Sequence, residues 1–119
     1  MSAVSNNVQR GQVYWVNMDP TVGAEIKKLR PALVVSNNIN NKYSPLITIL
    51  PITSNTQKPY PFEVVISQGA GGLKQASLIK ANQIRTIDKK RIHGAPLGVV
   101  MNSDTMNQVD QAIKVHLSL

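Results

Sequence analysis

The feature that most constrains this chain is a series of short runs rich in β-branched and aromatic residues, each five or six long. They are "VYWVN" (13–17), "ALVVS" (32–36), "LITIL" (46–50), "FEVVI" (62–66), "ASLIK" (76–80) and "NQIRTI" (82–87). Segments rich in Pro, Gly, Asn and Ser separate them, so each run predicts one strand and each gap a turn or loop. The end of the chain differs. In "NSDTMNQVDQAIKVHLS" (102–118), Met106, Val109, Ile113 and Leu117 recur at three- and four-residue spacing. That period predicts a helix with one apolar stripe, capped by Ser103 or Asp104. Six short strands and a terminal helix predict a mainly β, α+β fold: a curled, barrel-like sheet with the helix laid against it.

The gaps are read in the same way. Residues 1–9 are polar and expected to be loose, ahead of one domain over 10–119. Residues 18–29 hold Pro20 and Gly23 without a clean period, and 51–61 hold three prolines. Both are expected to be loops. "QGAGG" (68–72) is expected to be a flexible connection and "DKKRIHG" (88–94) a tight basic turn or helical turn.

Composition narrows the chemistry. With no cysteine there are no disulfides, no thiolate catalysis and no cysteine-ligated zinc. Apolar runs are too short to span a bilayer, and "MSAVSNNVQR" lacks a basic start followed by an apolar stretch. A cytoplasmic protein without membrane association is expected. Thirteen Lys and Arg against six Asp and Glu leave a net charge of +7. That excess favours a polyanionic partner, most simply nucleic acid, over a basic surface kept for solubility.

Strands 32–36 and 46–50 are joined by the nine residues "NNINNKYSP", so an antiparallel hairpin is the simplest arrangement. With Ser36 opposite Leu46, paired positions sum to about 82, and extending the ladder brings Arg30 opposite Ile52 or Thr53. Pro31 restricts Arg30 to extended backbone, and Pro51 does the same just before "ITS". A guanidinium fork beside a hydroxyl suits a phosphate, because several donors meet its oxygens. The plainer alternative is an exposed arginine at the sheet edge and a threonine in an ordinary turn.

Four segments, "RGQVYWVNMDPTVGAE", "RPALVVSNNINNKYSP", "ITILPITS" and "NQIRTIDKKRI", resemble the MazF/PemK family of toxin endoribonucleases, in the family's order and from Arg10 to about Leu119. The resemblance implies a cytosolic homodimer with an SH3-like barrel of the kind shared with gyrase-poisoning toxins. It implies cleavage of single-stranded RNA, usually mRNA, and inhibition by a cognate acidic antitoxin. By the family's motifs, Arg30 and Thr53 carry catalysis, Glu25 matches the family's glutamate, and Asn37 and Gln83 match positions that contact RNA bases. Two departures stand out. "IKKL" fills the interval between Glu25 and Arg30 where glycine or glutamine is usual, and Asn82 replaces an acidic residue. The first makes the loop stiffer and more basic; the second bears on base recognition.

RNA cleavage by metal ions needs clustered carboxylates or histidines, and six scattered acids with His93 and His116 offer none. No cofactor is expected. The metal-free route uses the ribose 2′-hydroxyl, with Arg30 and Thr53 stabilising the charge that builds on phosphorus and a 2′,3′-cyclic phosphate as product. Glu25 is one candidate base, and the assignment stays open. Lys27, Lys28 and Arg85, with Lys89, Lys90 and Arg91, are candidates for an electrostatic path. Tyr14 and Trp15 are read as core or interface and Asp19 as a turn cap. Two other classes compete: a gyrase-inhibiting toxin on the same fold, and a passive RNA-binding barrel. An aromatic content of 4% counts against the second, which needs stacking platforms.

Overall fold

The computed structural model describes residues 7–54 and 58–119. Seven strands form it: β1 (Val13–Asn17), β2 (Leu29–Val34), β3 (Leu46–Thr53), β4 (Glu63–Ile66), β5 (Ser77–Lys80), β6 (Arg85–Asp88) and β7 (Ile92–His93). Two helices accompany them, α1 (Asn38–Tyr43) and α2 (Ser103–Leu117). Every ladder is antiparallel, in the order β4-β5-β3-β2-β1-β7, with β6 also paired to β3. The expected mainly β fold with a terminal helix is therefore present. Among the described residues no ladder joins β4 to β7, so the sheet stays open.

The hairpin has the expected form, one residue off in register: Ala32 pairs with Pro51, Leu33 with Leu50 and Val34 with Ile49, a sum of 83. The loop expected from residue 51 does not begin there, because β3 runs on through Pro51 to Thr53. The reason lies in the neighbours. β6 pairs with residues 46–49 of β3 and β5 with 52–53, leaving an interval at 50–51. Val34 donates to Gln12 on the β1 side. In this register the Pro51 nitrogen faces away from β2, into that interval, where a missing N–H breaks no ladder.

Alternation along the strands builds two cores. Val13, Leu33, Leu50, Ile52 and Ile79 face α2, which closes that side with Val109 and Ala112. Tyr14, Val16, Ala32, Val34, Ile47 and Ile49 form the other core with Val8 and Met18. The helix stripe is shorter than expected: Ala112 takes a buried place and Leu117 is exposed. Asn102, one residue before the expected caps, accepts from Thr105 N. Arg10 pins the helix by donating to the Val35 carbonyl and the Asp110 carboxylate.

Other departures have local causes. Part of the segment expected to be loose, 1–6, lies outside the described residues, and Val8 within it is buried. Residues 55–57 of the expected loop also lie outside them. α1 interrupts the predicted turn because the Asn37 side chain accepts from Asn40 N. "QGAGG" is a packed 3-10 turn rather than a flexible connection. Gly72, at φ +85°, lies so close to Leu97 that a Cβ would stand 2.2 Å from its carbonyl oxygen. Strand 82–87 is broken by a 3-10 turn at Ala81–Gln83. The basic segment does form the expected helical turn, a 3-10 turn at Lys89–Arg91, and then leads into β7.

Candidate active site

The connection between β1 and β2, residues 18–28, crosses the face that carries Ala32, Val34, Ile47 and Ile49. Arg30 pairs with Val16 of β1, and alternation puts it on this face. The β2–β3 ladder ends at Ala32–Pro51; counted two steps further in the same register, Thr53 falls opposite Arg30. Thr53 itself pairs with Leu78 of β5 and is half-buried, whereas Arg30 is exposed. The Arg30 Nε–H donates to the Lys27 carbonyl at 3.1 Å. Both residues lie on their strands just past that end of the β2–β3 ladder.

Under the loop lies a cleft of about 600 Å³ lined by Met18, Glu25, Pro51, Asn82, Gln83 and Arg85, among others. Glu25, Gln83 and Arg85 meet here, and each is already engaged. Glu25 Oε1 accepts from Val22 N at 2.7 Å, closing its own turn. Gln83 Oε1 accepts from Ile26 N at 2.8 Å, and Arg85 Nη1 donates to the Met18 carbonyl at 2.7 Å. Arg30 lines a second cleft of about 420 Å³, with Trp15, Leu29, Pro31 and Ile52. Lys27 and Lys28 are exposed on the loop. Asn37, whose side chain caps α1, sits in a third groove that shares Ile84 with the first cleft.

The basic segment 83–91 is mostly structural. Arg91 Nη1 donates to the Asn17 carbonyl at 3.1 Å and to the Asp19 carbonyl, so the segment braces the loop's first residues. Lys89, expected on an electrostatic path, is buried and donates to the Asn41 carbonyl at 2.6 Å. Asn41 is itself fully buried, with its amide donating to the Ser36 carbonyl at 2.8 Å. Only Lys90 of the "KKR" triplet is exposed. Asp19 does cap its turn, accepting from Thr21 Oγ1 and, further along, from Lys28 N. Tyr14 is buried, which raises its pKa, while Trp15 is 42% exposed and belongs to a cleft wall. His93 and His116 are both exposed, the second beside the Phe62 ring. Among the described residues no three His, Asp or Glu side chains converge as metal ligands would, and no helix is long and apolar enough to cross a membrane.

The bracing arginines were invisible in the sequence because a cation that binds carbonyls reads the same as one that faces solvent.

An open antiparallel sheet with a terminal helix, bearing a basic loop over a cleft, defines a class of small β proteins. Within that class, the chain belongs to the PemK-like, MazF-like toxins of type II toxin–antitoxin systems, whose family model matches residues 9–117. It is 38% identical over 117 residues to the endoribonuclease MazF9 of Mycobacterium tuberculosis, covering 94% of this chain and 98% of that one. The crystal structure of MazF from Deinococcus radiodurans superposes with a TM-score of 0.80 at 28% identity, over 94% and 97% of the two chains. A mycobacterial endoribonuclease in complex with its cognate antitoxin gives 0.75 at 27% identity, over 94% and 96%.

Proposed function

We propose that this chain is an endoribonuclease toxin that cuts single-stranded RNA without a metal ion and is held in check by a cognate acidic antitoxin. The observation that carries the reading is the β2–β3 ladder ending at Ala32–Pro51, whose register, counted two steps on, puts Arg30 opposite Thr53 beside a loop bearing Lys27 and Lys28. Relatives named as endoribonucleases, one of them in complex with an antitoxin, support it.

In this reading the ribose 2′-oxygen attacks phosphorus and the bond to the 5′-oxygen breaks. The 2′-hydroxyl proton passes to a base and the departing 5′-oxygen takes one up, so no water is consumed. The ends are a 2′,3′-cyclic phosphate and a 5′-hydroxyl. The Arg30 fork and the Thr53 hydroxyl stabilise the oxygens on which charge builds. Glu25 lines the neighbouring cleft and is the candidate base, with one carboxylate oxygen accepting from Val22 N and the other available to take a proton. Asn37 and Gln83 would meet bases, and Lys27, Lys28 and Arg85 the backbone. The working form in this reading is a cytoplasmic homodimer of one domain over 10–119.

The test is incubation of the pure protein with long single-stranded RNA in EDTA, followed by analysis of the ends. Discrete fragments with cyclic-phosphate ends are expected. A requirement for Mg²⁺, or equal cutting of DNA of the same sequence, would overturn the mechanism. Intact RNA would favour a toxin that binds a protein target instead.

A further inference from the structure

We propose that Asp19 is a positioning residue for Arg30, acting through the peptide plane between Lys27 and Lys28. The Lys28 N–H of that plane donates to Asp19 Oδ1 at 3.2 Å, and its Lys27 carbonyl accepts from Arg30 Nε at 3.1 Å. One rigid amide therefore has the carboxylate on one side and the guanidinium on the other. Rotating the plane would break both bonds together.

The plane needs holding. Lys28 has φ 69°, a left-handed conformation that disfavours a lysine. Met18 N, donating to the Lys28 carbonyl at 2.8 Å, secures the far side of the same residue. Asp19 is itself fixed. Its N–H donates to Asn17 Oδ1 at 3.1 Å, Thr21 Oγ1 reaches its carboxylate at 3.3 Å, and its carbonyl accepts from Arg91. Contacts thus run from Arg91 through Asp19 and the amide to Arg30.

The proposal rests on the ribonuclease reading for its consequence, since an arginine that stabilises a transition state must present its fork in one orientation. Binding Nε to a carbonyl fixes the guanidinium plane and so the direction of the two terminal nitrogens. An Asp19 that only shaped a turn would carry no such coupling.

The experiment compares Asp19→Ala, Asp19→Asn and Asp19→Glu with the unaltered chain. It measures single-turnover cleavage of an RNA the wild type cuts, and affinity for the same RNA with 2′-deoxyribose at the cut. Asp19→Ala should slow cleavage by about 10-fold or more, with affinity held within about 2-fold. Asp19→Asn keeps an oxygen acceptor and should stay within about 3-fold of wild type. Combined with Arg30→Ala, Asp19→Ala should add almost nothing, because both act through one group. Asp19→Glu displaces the carboxylate by a methylene and supplies the loss if the alanine variant does not fold. Wild-type rates in Asp19→Ala, equal losses in Asp19→Asn and Asp19→Ala, or losses that multiply with Arg30→Ala would overturn the proposal.

A second readout does not depend on cleavage. The Arg30 Nε–H resonance, assigned by its disappearance in Arg30→Lys, should lose its protection from solvent exchange in Asp19→Ala, or in Asp19→Glu. If the wild type cuts no RNA, the ribonuclease reading fails, and this resonance alone decides whether Asp19 orients Arg30. An unchanged resonance would sink the proposal while leaving the ribonuclease reading intact.

Discussion

At the scale of single residues, Arg30 is exposed and Thr53 half-buried, so both can be altered with little disturbance to either core. Arg30→Ala should abolish most cleavage while the fold survives. Arg30→Lys should restore little, because a point charge lacks the planar fork. Thr53→Val should cost on the order of 10²-fold if the hydroxyl meets the oxyanion, and single-turnover rates would show it. Lys89 calls for the opposite expectation. Its ammonium is buried on the Asn41 carbonyl, so Lys89→Met should lower stability by about 1–3 kcal/mol. Lys90→Met, at an exposed neighbour, should change it by no more than about 0.5 kcal/mol. Urea denaturation of the two variants checks the contrast; equal effects would mean that Lys89 is not a structural residue.

Elements explain where the site can be. β3 serves three neighbours, β2 along one edge and β6 then β5 along the other, and the proline at their handover lets one strand carry both core residues and Thr53. At the sheet's margin Glu63 pairs with Lys80 across β4 and β5, with Lys80 Nζ 2.5 Å from Glu63 Oε2. Burial would raise the Glu63 pKa, but the Lys80 contact and the Tyr60 N–H outweigh it and hold the carboxyl below its ordinary range. A depressed carboxyl contributes stability above its unfolded value, about 4.3, and that contribution is lost as pH falls through the folded value. Between about pH 5 and pH 3 the unaltered chain should therefore lose more stability than Glu63→Gln. Parallel pH profiles of the two urea midpoints would contradict this.

For the whole molecule, the charge of +7 is shared unequally between structure and surface. Arg10, Arg85, Arg91, Lys80 and Lys89 are tied to carbonyls or carboxylates, while Lys27, Lys28 and Lys90 stand exposed. Lys27, Lys28 and Lys90, exposed like Arg30, Lys42, Lys58, Lys74 and Lys114, can exchange counterions for phosphates or an acidic inhibitor. Lys28→Glu with Lys90→Glu should weaken binding of both RNA and an acidic antitoxin peptide. Wild-type affinity for each should fall as salt rises. Titration at two ionic strengths tests this. Antitoxin affinity insensitive to salt and to the reversals would place the inhibitor on apolar contacts elsewhere.

Local chemistry and period are legible in the letters of the chain. The β-branched runs read as strands, with only 82–87 broken at its start, the three- and four-residue spacing of Met106, Val109 and Ile113 as a helix, and the nine-residue connection most simply as a hairpin that carries Arg30 toward Thr53. The family motifs lay in the same letters. Tertiary structure decided what a side chain does once several partners compete for it. Nothing in "DKKR" separates a lysine buried on a carbonyl from one in water, and nothing in "NMDP" says that its carbonyls are held by Arg85 and Arg91. Pro51 reads as a loop residue until the gap between β6 and β5 receives its missing N–H. The coupling of Asp19 to Arg30 is of the same kind. It depends on the orientation of one peptide plane, which residue identity does not encode and the folded loop does.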